Sequence, residues 1–71
     1  MTVTFHRRDH APEPEYDVRD DGRYVGRVWR RTTSTIQFGT YTFWVAYGPD
    51  GDRIGERPTR RAAVELLGVR Q

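Results

Sequence analysis

The sequence predicts an α+β domain: a small antiparallel sheet of three to four strands, built from two hairpins and packed on one C-terminal helix. Three observations predict it. Gly39–Pro49, read as GTYTFWVAYGP, is an aromatic run whose side chains alternate. Two Asp-Gly pairs, Asp21-Gly22 and Asp50-Gly51, punctuate apolar–polar alternation. Thr59–Gly68 has helical spacing with a start and a stop signal.

The chain has 71 residues and supports one domain with a thin core. We divide it into an N-terminal strand or extended tail over residues 1–15 and a single β-β-β-β-α domain over residues 16–71. Thr2–His6 alternates, with Val3 and Phe5 on one side. Arg7–Glu15 reads as an extended linker, because Pro12 and Pro14 remove backbone donors and disfavour helix before them.

Tyr16–Arg19 and Arg23–Arg31 flank Asp20-Asp21-Gly22, so a hairpin with a two-residue Asp21-Gly22 loop is expected. That register sets Val18 opposite Val25 and places Tyr16, Val18, Val25 and Trp29 on one face. Thr32–Phe38 is a polar connection whose β-branched residues could extend a strand.

The aromatic strand follows. Tyr41, Phe43, Val45 and Tyr47 share one side, and Thr42, Trp44 and Ala46 the other. Both sides invite burial, as a central strand does. Pro49–Asp52 is the second turn, and Arg53–Arg57 returns as the last strand. Asp50-Gly51-Asp52-Arg53-Ile54-Gly55-Glu56 echoes Asp21-Gly22-Arg23-Tyr24-Val25-Gly26-Arg27, as two similar hairpins would. A two-residue second turn pairs Tyr47 with Ile54. A bulged turn instead sets Trp44, Ala46 and Ile54 under the helix and leaves Val45, Tyr47, Arg53 and Arg57 outward. The bulged form keeps Arg53 and Arg57 out of the core.

Pro58 ends the sheet and Thr59 is the N-cap of a helix over Arg60–Leu67, closed by Gly68. Ala63, Leu66 and Leu67 share its apolar face. Such a short helix must dock on the sheet to persist.

Composition narrows function. The chain has no Cys, which removes disulfides and thiolate metal sites. No apolar run is long enough for a bilayer, and MTVTFHRRDH lacks a signal-peptide core. A soluble, cytoplasmic protein with no membrane contact is expected. All twelve basic residues are Arg, a bias that GC-rich coding also produces, so their number carries little weight. Their distribution carries more. Residues 1–22 hold three Arg against six acids, net −3, and residues 23–71 hold nine against four, net +5. A basic folded part suits a polyanion.

One short helix covers one face of such a sheet. The other face is then a mixture of Arg and aromatics, suited to phosphate and base contact. Arg23, Arg27, Arg31, Arg53 and Arg57 lie on the strands, and Arg60 and Arg61 open the helix, where unpaired N–H groups add to their charge. The alternative is that the Arg stems only shield rings while their heads stay in water. No phosphate-binding loop, nucleophile elbow or paired-carboxylate cleft is present. His6, Asp9 and His10 form a poor metal set among prolines. A non-enzyme without cofactor or metal is expected.

Gly26-x-Val28-x-Arg30, Trp44-x-Ala46, Asp50-Gly51-x-Arg53-Ile54-Gly55 and Thr59-x-x-x-Ala63 together resemble a known pattern. It is that of the sheet-plus-helix DNA-binding domains of plant ethylene-response factors and of the arm-site-binding domains of phage-type tyrosine recombinases. The resemblance spans about Gly26–Leu67. It implies a sheet laid in the major groove, with Arg30, Tyr47 and Arg53 facing DNA and Trp44, Ala46, Ile54 and Ala63 in the core. It also implies a mobile-element or phage-like setting. The chain departs from the family at Arg57, where a Phe is usual.

The expected function is a DNA-binding module contacting duplex DNA through Arg23, Arg27, Arg30, Tyr47, Arg53, Arg57, Arg60 and Arg61. The alternative is a protein-interaction or self-associating module, a dimer for example, that uses Tyr41, Phe43 and Tyr47.

Overall fold

The computed structural model describes residues 2–8 and 13–69. Five strands form one antiparallel sheet in the order in which they occur: β1 (Val3–Arg7), β2 (Glu15–Asp20), β3 (Arg23–Thr35), β4 (Gly39–Tyr47) and β5 (Arg53–Arg57). A single helix, α1 (Arg60–Glu65), follows. The α+β class is as expected, but the sheet has five strands rather than three to four. The added strand is β1, which pairs with β2 from Val3↔Asp20 to Arg7↔Tyr16. Arg8 N–H to Glu15 O and Asp21 N–H to Thr2 O close the two ends of that ladder. The predicted linker lies partly outside the described residues, Pro12 included.

The β2–β3 turn forms where the sequence places it. Asp21 and Gly22 have φ of 52° and 84°, the left-handed pair that a type I′ loop requires. Beyond the turn the register slips. Val18 lies opposite Gly26 and Arg19 opposite Tyr24, so Val25 is a bulged extra residue. This corrects the expected pairing of Val18 with Val25. It also moves Trp29 to the other face, because a one-residue shift inverts every later side chain. Tyr16, Val18 and Val28 are the residues that share the helix side.

The second hairpin repeats the device. Ala46 lies opposite Gly55 and Tyr47 opposite Arg53, leaving Ile54 as the extra residue. Ile54 is therefore 48% exposed and not part of the core, contrary to expectation. Arg57 lies opposite Trp44 on the helix side, not outward. The echoed segments thus encode one structural event twice: a bulge at Val25 or Ile54, then a glycine. Both glycines face the chain just beyond α1. A Cβ on Gly55 would lie 3.4 Å from Leu66 Cδ1, and one on Gly26 only 2.8 Å from Leu67 Cδ2.

Helix α1 packs across β3, β4 and β5. Thr59 caps it by accepting a hydrogen bond from Ala62 N–H, and Gly68 at φ 80° turns the chain after it. The core beneath is thin: Val18, Val28, Ala46, Ala63, Val64 and Val69. Among the described residues no fully buried side chain is larger than valine. Larger rings sit around this centre, half-buried. Tyr16 stacks on Trp44 with centroids 6.1 Å apart and meets the edge of Phe5 at 6.3 Å. Arg60 lies over both Phe5 and Tyr16, at 4.6 and 5.2 Å from their centroids.

Strands β3 and β4 outrun their neighbours. Past Arg30↔Trp44 they pair with each other alone, among the described residues, from Arg31↔Phe43 to Thr35↔Gly39. This two-stranded ribbon projects from the sheet and gives the molecule its long axis of 43 Å against 24 and 20 Å.

Candidate nucleic-acid interface

Alternation and register define the face opposite the helix. One row across it reads Glu15, Trp29, Val45, Glu56, and the next His6, Asp17, Arg27, Tyr47, Arg53. Arg19 and Tyr24 face each other nearer the first turn, and Arg31 and Phe43 nearer the ribbon. Val45 belongs to this face yet is 3% exposed, hemmed in between Trp29 and Glu56.

Three arginines on this face lie over rings. The Arg19 guanidinium carbon is 5.8 Å from the Tyr24 centroid, Arg27 is 4.8 Å from Tyr47, and Arg31 is 4.6 Å from Trp29. A guanidinium is weakly hydrated and planar, so it can rest on a π face and keep donors at its edge. Glu15 is the acid beside Arg27. It is 7% exposed, accepts a hydrogen bond from Arg8 Nη1 at 3.2 Å and lies 3.9 Å from Arg27 Nη1. Its charge is thus covered by arginine. Arg53 makes an exposed ion pair with Glu56 at 2.7 Å, of the kind that water screens.

The eight residues singled out in the sequence divide between the two sides. Arg27, Tyr47 and Arg53 come together on the face opposite the helix. Arg30 and Arg57 flank Trp44 on the helix side, at the base of the ribbon. Arg23 sits beside the first turn, opposite Asp20. Arg60 covers Phe5 and Tyr16. Arg61 lies exposed on α1. Sequence reasoning counted Arg31 among the strand arginines of the mixed face but missed Arg8 and Arg19. Arg31 shares a side with Trp29 by alternation and Arg19 with Tyr24 through the two-residue turn, whereas the bulge decides that Trp29 and Arg31 face away from the helix.

Both ends of the sheet carry mixed charge: Asp20, Asp21, Asp50 and Asp52 lie with Arg19, Arg23 and Arg53 at the end with the two tight turns, and Arg7, Arg8, Arg30, Arg31 and Arg57 lie with Glu15 and Glu56 toward the ribbon. Of the His6, Asp9 and His10 set, only His6 lies within the described residues, and no group of three metal-ligating side chains occurs among them. No helix among the described residues is long and apolar enough to cross a membrane. No family model, curated protein or solved structure matches the chain.

Proposed function

We propose that the protein is a small DNA-binding module that lays the sheet face opposite its helix against duplex DNA. The observation that carries this reading is the set of three arginine-over-ring stacks on one face, Arg19–Tyr24, Arg27–Tyr47 and Arg31–Trp29. Stacking holds each guanidinium in place before a ligand arrives, which reduces the ordering cost of binding. Phosphate oxygens are the natural acceptors for such donors, and bidentate geometry adds to the gain. The buried Glu15 restrains Arg8 and Arg27 without offering an exposed negative surface. In this reading Arg30, Arg57 and Arg60 are not contacts, because they stand on the helix side.

A salt series of duplex affinity tests the assignment. Arg19→Gln, Arg27→Gln and Arg31→Gln together should flatten the slope of log affinity against log salt by roughly three units, about 0.9 per lost phosphate contact. Arg30→Gln, Arg57→Gln and Arg60→Gln together should leave the slope nearly unchanged. If the second set weakens binding and the first does not, the face is misassigned. If neither set matters, the DNA reading is wrong.

A further inference from the structure

Beyond Arg31, whose stack on Trp29 belongs to the interface above, the ribbon takes no part in that interface. That outer part carries no charged residue: the chain has none from Thr32 to Pro49, although 31% of its residues are charged. Its tip is apolar and bare. Ile36 is 105% exposed, Phe38 81% and Tyr41 53%. Such side chains contribute nothing to the core of a single copy.

Its outer edge is open as well. Strand β5 ends at Arg57, opposite Trp44, so β4 continues from Phe43 to Gly39 with an unpaired edge among the described residues. No proline and no bulge interrupts that edge, and no lysine or arginine guards it, which are the usual protections. At the step where β5 stops, Tyr41, Thr42, Phe43, Glu56, Arg57 and Pro58 line a hollow of about 250 Å³.

We propose that the β3–β4 ribbon is a self-association arm. The open edge of β4 pairs antiparallel with the same edge of a second copy, and the tip of each ribbon reaches the hollow of the other. Three observations select a second copy over an unrelated strand. Beyond Arg31 the ribbon is uncharged and meets its own copy without repulsion. Antiparallel pairing also sends the arginines at the two ribbon bases to opposite ends. A five-residue overlap separates them by roughly 17 Å, beyond the ~8 Å screening length at physiological salt. Finally, the apolar tip residues Ile36 and Phe38 are supplied by the same ribbon that presents Tyr41 and Phe43 at the hollow. A two-fold axis through the paired edges is perpendicular to the sheet, so both arginine-and-ring faces then point to one side.

The proposal does not depend on DNA binding and is tested without DNA. Sedimentation equilibrium of the full chain should give twice the chain mass, dissociating on dilution. Because the chain has no cysteine, single cysteines report cleanly. Tyr41→Cys, which lies opposite itself at the centre of the five-residue overlap, should form a disulfide-linked dimer under mild oxidation, and Thr4→Cys on the opposite edge of the sheet should not. Thr40→Lys with Thr42→Lys should give a monomer whose far-ultraviolet circular dichroism matches the parent. A parent chain that stays monomeric up to its solubility limit overturns the proposal and assigns the edge to a strand from another protein. A dimer that survives the lysines, or cross-links through Thr4→Cys instead, also overturns it.

Discussion

Leu67 occupies the space that a side chain on Gly26 would need. Its Cδ2 atom lies 2.8 Å from where the Cβ would be, and the Tyr47 carbonyl oxygen lies 2.3 Å from the same point. Gly26 also has φ of 145°, outside the range of most L-residues. The glycine lets the turn after α1 settle onto the bulged strand.

Gly26→Ala should therefore destabilise the fold by about 2–4 kcal/mol, combining overpacking with backbone strain. Gly22→Ala is the comparison, since nothing lies within 4 Å of its missing Cβ and only its φ of 84° matters. It should cost about 1 kcal/mol. Urea midpoints measure both. Equal losses would mean that Leu67 does not press on the strand.

Thr59 satisfies one N–H of a helix that has only six residues and no acid in its first turn. Thr59→Ala should lower stability by about 1 kcal/mol. Thr59→Asp keeps the cap and places a carboxylate at the positive end of the helix, beside Arg60 and Arg61. It should match or exceed the parent by about 0.5 kcal/mol. Thermal melts at low salt would separate the two.

Glu15 lies beneath Arg8 and Arg27, so its removal should act in opposite directions on two measurements. Glu15→Ala leaves the Arg8 guanidinium without its acceptor, removes the carboxylate 3.9 Å from Arg27 and should cost about 1–2 kcal/mol of stability. The same change releases positive charge on the proposed DNA face. Duplex affinity at low salt should rise or hold. A fall in both, measured where the variant is folded, would place Glu15 in binding rather than in packing.

Val28 is fully buried between the sheet and the helix, whereas Ile36 projects from the ribbon tip. Val28→Ala should cost about 1.5–3 kcal/mol from lost burial and the cavity left behind. Ile36→Ser should change the stability of dilute protein by less than about 0.5 kcal/mol. Chemical denaturation below the association range tests the contrast. A large loss at Ile36 would show that the tip is tied into the fold.

Local features were legible in the chain. The Asp21-Gly22 loop, the alternation of Gly39–Tyr47, the Thr59 cap and the Gly68 turn each depend on a few neighbouring residues, and each stands where the sequence sets it. Val64 was missed as a core residue because Ala63, Leu66 and Leu67 already fill the helical stripe by spacing. The length of β3 was also hard to read: Thr32–Thr35 suits a strand or a polar loop equally, and only pairing with Gly39–Thr42 decides it.

The repeated Val25-Gly26 and Ile54-Gly55 steps show where sequence reading stops. Their similarity was visible, but their consequence was not. Local composition determined that there would be turns, an aromatic central strand and a short capped helix. Tertiary packing decided which side of each strand meets that helix. Leu67 and Leu66, from a distant part of the chain, close on the glycine that follows each bulge, and each one-residue slip exchanges the two faces for everything beyond it. For that reason Trp29 and Arg57 changed sides while Ala46 and Tyr47 did not.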